Sequence, residues 1–253
     1  MPVLPPEAAA PALPRPGILL QDAGFAVPGR VILHGISADL TQNRIGIVGR
    51  NGSGKTTLLR LLAGLIAPTS GRVKVAGFDP ARDRKAAVAA LGILFQNPDH
   101  QIIFPTVEEE LAFGPRQQGA TDAAARAMAR AELTHHGRSH WAQASVATLS
   151  QGQRHYLCLM VVLMMQPATI LLDEPFTDLD LPTRARLIRT LHGLPQRLIT
   201  ITHDPRLLAG YDRVLWLDAG RIRQDGPAGP VLTAFVAEMA RIGECDADTD
   251  LAL

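Results

Sequence analysis

Apolar and polar positions change rhythm several times along this chain. From Gly17 to Leu40, short apolar runs alternate with Gly, Pro and Asn/Asp breakers, the pattern of a β-rich edge. Residues 44–49 (RIGIVG) read as a short buried strand that runs into RNGSGKT and a helix, TLLRLLAGL, ended by Pro68. Residues 71–78 predict a further strand and turn, and the apolar run LGILF ends at Gln96. Between about Asn97 and Gln153 helical stretches dominate. They are 106–114, then 121–137 with Thr121 as its N-cap, and a long apolar helix over 154–165. Strand and helix then alternate over 168–175, 181–194, 197–204 and 213–222, which argues a mostly parallel sheet with helices on both faces. No internal repeat is visible.

This alternation predicts an α/β fold. Residues 1–16 form a proline-studded, disordered tail, and 17–240 form one nucleotide-binding unit with a helical insertion at about 97–153. An acidic tail occupies 241–253. With 253 residues and 47% hydrophobic content, the chain is able to bury a sizeable core. A net charge of +1 leaves no basic footprint for nucleic acid. Two distant cysteines, Cys158 and Cys245, fit a reducing cytoplasm without disulfides. No secretory signal is visible, and the longest apolar run, 157–165, is about half of what a bilayer span requires. The expectation is a protein soluble by itself and linked to a membrane only through a partner.

The chemistry begins at residues 49–56, GRNGSGKT, a phosphate-binding loop with a strand before it and a helix after it. Backbone N–H groups of Asn51, Gly52, Ser53 and Gly54 would turn inward around phosphates, helped by the positive end of the helix that carries Thr57. Lys55 would reach the β/γ-phosphates and Thr56 would offer its hydroxyl to Mg²⁺. The apolar strand ending at Asp173-Glu174 delivers one carboxylate to the Mg²⁺ shell and a second, Glu174, as general base. His203 and Gln96 each end an apolar strand. The histidine would sense the γ-phosphate, and the amide would contact both Mg²⁺ and water.

Residues 149–153, LSQGQ, resemble the LSGGQ signature of ABC ATPases. The remaining motifs fall in that family's order: phosphate loop, Gln96, signature, Asp173-Glu174, a D-loop-like segment at 176–180, and His203. The resemblance covers roughly 17–235. It implies a P-loop NTPase (RecA-like) parallel core with an antiparallel β edge and an inserted ABC-type helical subdomain. It also implies ATP and Mg²⁺ as ligands and a head-to-tail homodimer, or a pairing with a related ATPase. Each ATP would then lie between one phosphate loop and the partner's Ser150, Gly152 and Gln153. The sequence departs from the family at three points. Gln151 replaces the first signature glycine, Thr177 and Asp178 replace small D-loop residues, and Val27 stands where an aromatic ring usually underlies adenine, with Phe25 two residues earlier as the alternative contact.

Residues 95–104 and the following TVEEELAFGPRQQG look like the energy-coupling-factor branch, whose ATPases drive importers of cobalt, nickel, biotin and other vitamins. This branch implies a groove along 97–118 for a transmembrane coupling subunit, a separate membrane subunit that selects the solute, and a peripheral location on the cytoplasmic face of the cell membrane. Cobalt is the preferred solute, by analogy with short homodimeric members. The interval from Lys55 to Ser150 is too short for the coiled coil of DNA-repair ABC ATPases, one cassette is too few for a translation factor, and a small-molecule kinase would leave the signature unexplained. Met160, Met164 and Met165 read as core filler and Cys158 as an inert buried thiol. His135 and His136 read as solvated helix-end residues, and Arg184, Arg186 and Arg189 as an exposed helix face.

Overall fold

A computed structural model describes residues 17–177 and 179–244, together with the backbone but not the side chain of Glu244. The expected N-terminal tail, Asp178, Cys245 and the last residues of the acidic tail lie outside the described residues. The first strands, β1 (Ile18–Val27) and β2 (Arg30–Leu40), pair antiparallel, and β4 (Ser70–Val75) joins the other edge of β1. This is the predicted antiparallel edge, as a separate three-stranded sheet. The second sheet has the order β5 (Leu91–Leu94), β6 (Thr169–Asp173), β7 (Arg197–Ile201), β3 (Arg44–Val48), β8 (Arg213–Asp218) and β9 (Arg221–Pro227). All its neighbours run parallel except β9, which pairs antiparallel with β8.

β6 and β7 are buried at every position, as strands covered on both faces must be. Arg197, 1% exposed, closes the amino end of β7 by donating from Nε to Gln42 O at 2.8 Å and from Nη2 to Thr41 O at 3.0 Å. Helix α1 (Lys55–Leu62) follows β3 and packs its leucines into a core shared by the two sheets, with Ile45, Ile47, Leu171 and Leu215 among its members. A short helix, α2 (Arg84–Ala90), leads into β5.

The insertion holds α3 (Val107–Gln117), α4 (Asp122–His135) and α5 (Gln151–Met164) around a core of their own. Thr121 caps α4 as expected, accepting from Ala124 N at 3.3 Å. Glu108 is buried in α3 and accepts from Arg130 Nε at 2.7 Å and Arg126 Nη1 at 3.1 Å. The Arg130 guanidinium holds its carboxyl below the usual range. Met160 is fully buried, and burial pushes the Cys158 thiol up to about 12, which leaves it inert.

Two expectations need correction. His136 is not simply solvated: Nδ1 bonds Tyr156 OH at 2.9 Å and Nε2 bonds Glu132 at 3.0 Å, because α4 ends against α5. Arg184, on α6 (Leu181–His192), is not an exposed arginine; it is half-buried and pairs with Asp204, whereas Arg186 and Arg189 face solvent. The last helix, α7 (Ala228–Glu244), also includes residues 241–244, where the expected tail begins. It packs Val231 and Phe235 against Trp216 of β8.

Candidate functional site

The parallel register gathers the site at one edge of the second sheet. Asp173 is level with Ile201, Ile201 with Ile47, and Val48 with Trp216, so the residues that follow β6, β7 and β3 emerge side by side. Open α/β sheets bind ligands at this carboxyl edge.

The loop after β3 is built for a close backbone. A side chain at Gly49 would run into Leu217 O and Ser53 Oγ. Gly54, which precedes α1, has φ +100, where a Cβ would also lie 2.7 Å from Leu33 Cδ2. Lys55 curls beneath the loop and donates from Nζ to Gly49 O at 2.8 Å and Arg50 O at 3.0 Å. Burial lowers its pKa, and the nearby Glu174 and Asp173 oppose that. Thr56 Oγ1 donates to Asp173 Oδ1 at 3.5 Å, the long limit of a hydrogen bond. Burial, followed by the charge of Glu174, raises the Asp173 pKa.

This chemistry suits a phosphate and a divalent cation. The Ser53 hydroxyl is buried without a hydrogen-bond partner among the described residues, and the Thr56 hydroxyl meets the buried Asp173 carboxylate only at the long limit of a hydrogen bond. A hard cation takes oxygen donors of this type and would offset the cost of an ionised Asp173.

Glu174 has φ +48, an uncommon conformation for a side-chain-bearing residue, and is held there by its N–H donating to Ile201 O at 3.0 Å. Its Oε2 lies 2.8 Å from His203 Nδ1 and accepts from His203 N at 3.4 Å. Thr56 is thus bonded to Asp173 and His203 to Glu174, and Lys55 lies near enough to feel the charge of both carboxylates.

Gln96 and the signature line two further clefts. Gln96 follows β5, whose Leu94 is level with Leu172, and shares a cleft with Asn97, Asp99, Gln151 and Arg154. Gln151 thus lines a cleft beside Gln96. Ser150 and Gln153 form a reciprocal capping box on α5: Ser150 Oγ accepts from Gln153 N at 3.3 Å and Gln153 Oε1 accepts from Ser150 N at 2.7 Å. Gly152 is kept because a Cβ there would lie 2.6 Å from Thr183 Cγ2. Gly152 and Gln153 line a cleft with Trp141 and Tyr156, while Gly49, Arg50 and Asn51 line another with His203. Phe25 packs on the core and Val27 is 41% exposed, which leaves Val27 as the accessible residue of the two.

The pattern of the chain did not announce α7, yet Phe235, Val236, Met239 and Ala240 wall the cleft beside the phosphate loop. The four-residue spacing of Val231, Phe235 and Met239 was the available signal.

Residues 33–177 match the ABC transporter family. The biotin transport ATP-binding protein BioM of Rhodobacter capsulatus is 51% identical over 86% of this chain and 94% of its own length. BioM of Rhizobium etli is 40% identical over 86% of this chain and 97% of its own. Among solved structures, cbiO1 of Clostridium perfringens, part of the transporter complex cbiONQ, superposes with a TM-score of 0.75 at 26% identity, over 90% of this chain and 97% of that one. The chain belongs to the ABC transporter family and is one of its ATPases. Within that family it is of the energy-coupling-factor type. Among the described residues, no helix is long and apolar enough to cross a membrane.

Proposed function

We propose that this chain powers an energy-coupling-factor importer of biotin from the cytoplasmic face of the membrane, as a homodimer. The solute follows the two BioM relatives, at 51% and 40% identity over most of each chain, and these weigh for biotin over the cobalt that sequence analogy favoured. Cobalt stays as a second reading on the sequence analogy alone. Nickel has no such support.

The observation that carries the mechanism is the group in which Lys55 lies under the loop and Glu174 meets His203 at 2.8 Å. Asn51, Gly52, Ser53, Gly54 and Thr57 cradle the phosphates of ATP, with Val27 against the base. Thr56, Asp173 and Gln96 would hold Mg²⁺, which would shield phosphate charge. Glu174 accepts a proton from the attacking water, and His203 holds Glu174 and the γ-phosphate in line. Ser150, Gly152 and Gln153 of a second copy close the nucleotide from the other side, with the amino end of α5 toward its negative charge.

Glu174→Gln keeps the shape of the side chain without its basicity. With Mg-ATP it is expected to accumulate as a stable dimer in gel filtration while releasing no phosphate; a monomer under those conditions contradicts the mechanism. Uptake of labelled biotin and labelled cobalt by cells carrying the chain with its membrane subunits decides the solute.

A further inference from the structure

Arg184 lies outside the motifs, on the first turn of α6, yet it reaches the catalytic edge. Its Nη2 donates to Asp204 Oδ2 at 2.6 Å, and the two side chains are only 29% and 14% exposed. Asp204 is in turn fixed from several directions. Its Oδ1 accepts from Arg206 N at 3.1 Å and Arg206 Nε at 2.9 Å, and its own N–H donates to the hydroxyl of buried Thr202 at 3.1 Å. The residue between Thr202 and Asp204 is His203. The His203 side chain is 63% exposed, so little packing orients the ring; its position depends on the backbone on either side and on the bond to Glu174. Arg184, Asp204, His203 and Glu174 also line one cleft, with Thr177 and Leu179 of the D-loop-like segment at its rim. The same end of Arg184's helix is anchored to that segment, because Asp180 caps α6 by accepting from Thr183 N at 2.7 Å.

We propose that Arg184 is a positioning residue for hydrolysis, holding His203 against Glu174 through Asp204 and tying that pair to the segment before α6. The inference rests on the roles proposed above for Glu174 and His203. A fork-shaped guanidinium suits the task, because a bond to a well-fixed carboxylate constrains direction as well as distance. Displacing a catalytic group by a fraction of an ångström lowers the rate of the chemical step and leaves binding of the nucleotide largely intact.

The test compares the full-length protein with Arg184→Ala, Arg184→Lys and Asp204→Asn. Phosphate release from Mg-ATP is the kinetic readout, and the His203 ring signal in a ¹H–¹³C NMR spectrum, assigned with His203→Ala, is the direct one. Arg184→Ala is expected to lower kcat about tenfold with KM changed by less than about twofold. The His203 signal shifts, and Asp204→Asn does the same. Arg184→Lys, which keeps the charge without the fork, recovers part of the rate and part of the shift. A merely structural role would move KM and the melting temperature and leave the ring signal of the folded protein where it was. If Arg184→Ala fails to fold, Arg184→Lys and Asp204→Asn carry the same readouts. An unchanged kcat, or a lowered kcat with an unmoved His203 signal, overturns the tether. If His203→Ala hydrolyses ATP at the wild-type rate, the assignment of His203 falls instead, while the ring signal still decides whether Arg184 holds it.

Discussion

Val27 is the residue where this chain parts most plainly from its family. It ends β1 with 41% of its surface exposed, and the nearby ring, Phe25, is spent on the core between the two sheets. If Val27 lies against the base, as proposed above, an isopropyl group takes the place of an aromatic face. Stacking on an aromatic is worth roughly 1–3 kcal/mol per base. Val27→Tyr, at an exposed strand end, is expected to tighten ATP binding about five- to thirtyfold, as the lower half of that range implies. Titration of the Glu174→Gln background with a fluorescent ATP analogue measures it. Unchanged affinity would show that the base lies elsewhere. The same reasoning explains what was readable at residue scale. Lys55, Thr56, Asp173, Glu174 and His203 belong to short local motifs at strand ends, and the register of a parallel sheet brings strand ends together whatever the intervening chain does. Arg184 was not readable in this way, because its partner Asp204 lies beyond the next strand and nothing in the local pattern pairs them.

At the scale of elements, a buried carboxylate ties two helices of the insertion together. Glu108 is 1% exposed as a side chain and joins α3 to α4 through Arg126 and Arg130. Both arginines reach solvent, so the pair is worth less than a fully buried one. Glu108→Gln is expected to lower unfolding free energy by about 1–3 kcal/mol, since two guanidinium groups lose an ionic acceptor. The pKa of Glu108 is depressed in the folded protein, chiefly by Arg130, from an ordinary value of 4.5. Its contribution is therefore complete above that value and is lost as pH falls through the lower, folded one. Urea melts of wild type and Glu108→Gln should differ most at neutral pH and converge in acid; a constant difference would place the effect in packing. The elements the pattern missed have separate causes. β9 has alternating exposed and half-buried positions and no apolar run, as an edge strand facing water has. α7 opens on Gly and Pro, which read as breakers, although Pro in the first turn of a helix is tolerated. The buried strands β3, β6 and β7 were plain because burial on both faces demands unbroken apolar runs.

For the whole molecule, the decisive feature is that the phosphate loop and the signature open into different clefts of the same chain. Gly49, Arg50 and Asn51 share theirs with His203 and α7, while Gly152 and Gln153 share theirs with Trp141 and Tyr156. If the proposed composite site is right, defects in the two halves complement each other in mixed dimers. Lys55→Ala removes the ammonium beneath the loop and keeps an intact signature. Ser150→Arg keeps the loop and sets a bulky cation where the capping box presents its hydroxyl. Each variant alone spoils both sites of its dimer and should hydrolyse little ATP. In a mixed dimer one site carries both defects and the other carries neither. A 1:1 mixture allowed to exchange subunits makes about half mixed dimers, each with one of two sites whole, so activity should return to about a quarter of wild type if the sites act independently. Partial coupling between the two sites would lower that figure without abolishing the gain over the separate variants. A mixture no more active than its components, with subunit exchange verified by differently tagged copies, would mean that each chain completes its own site, and the head-to-tail arrangement would have to be given up.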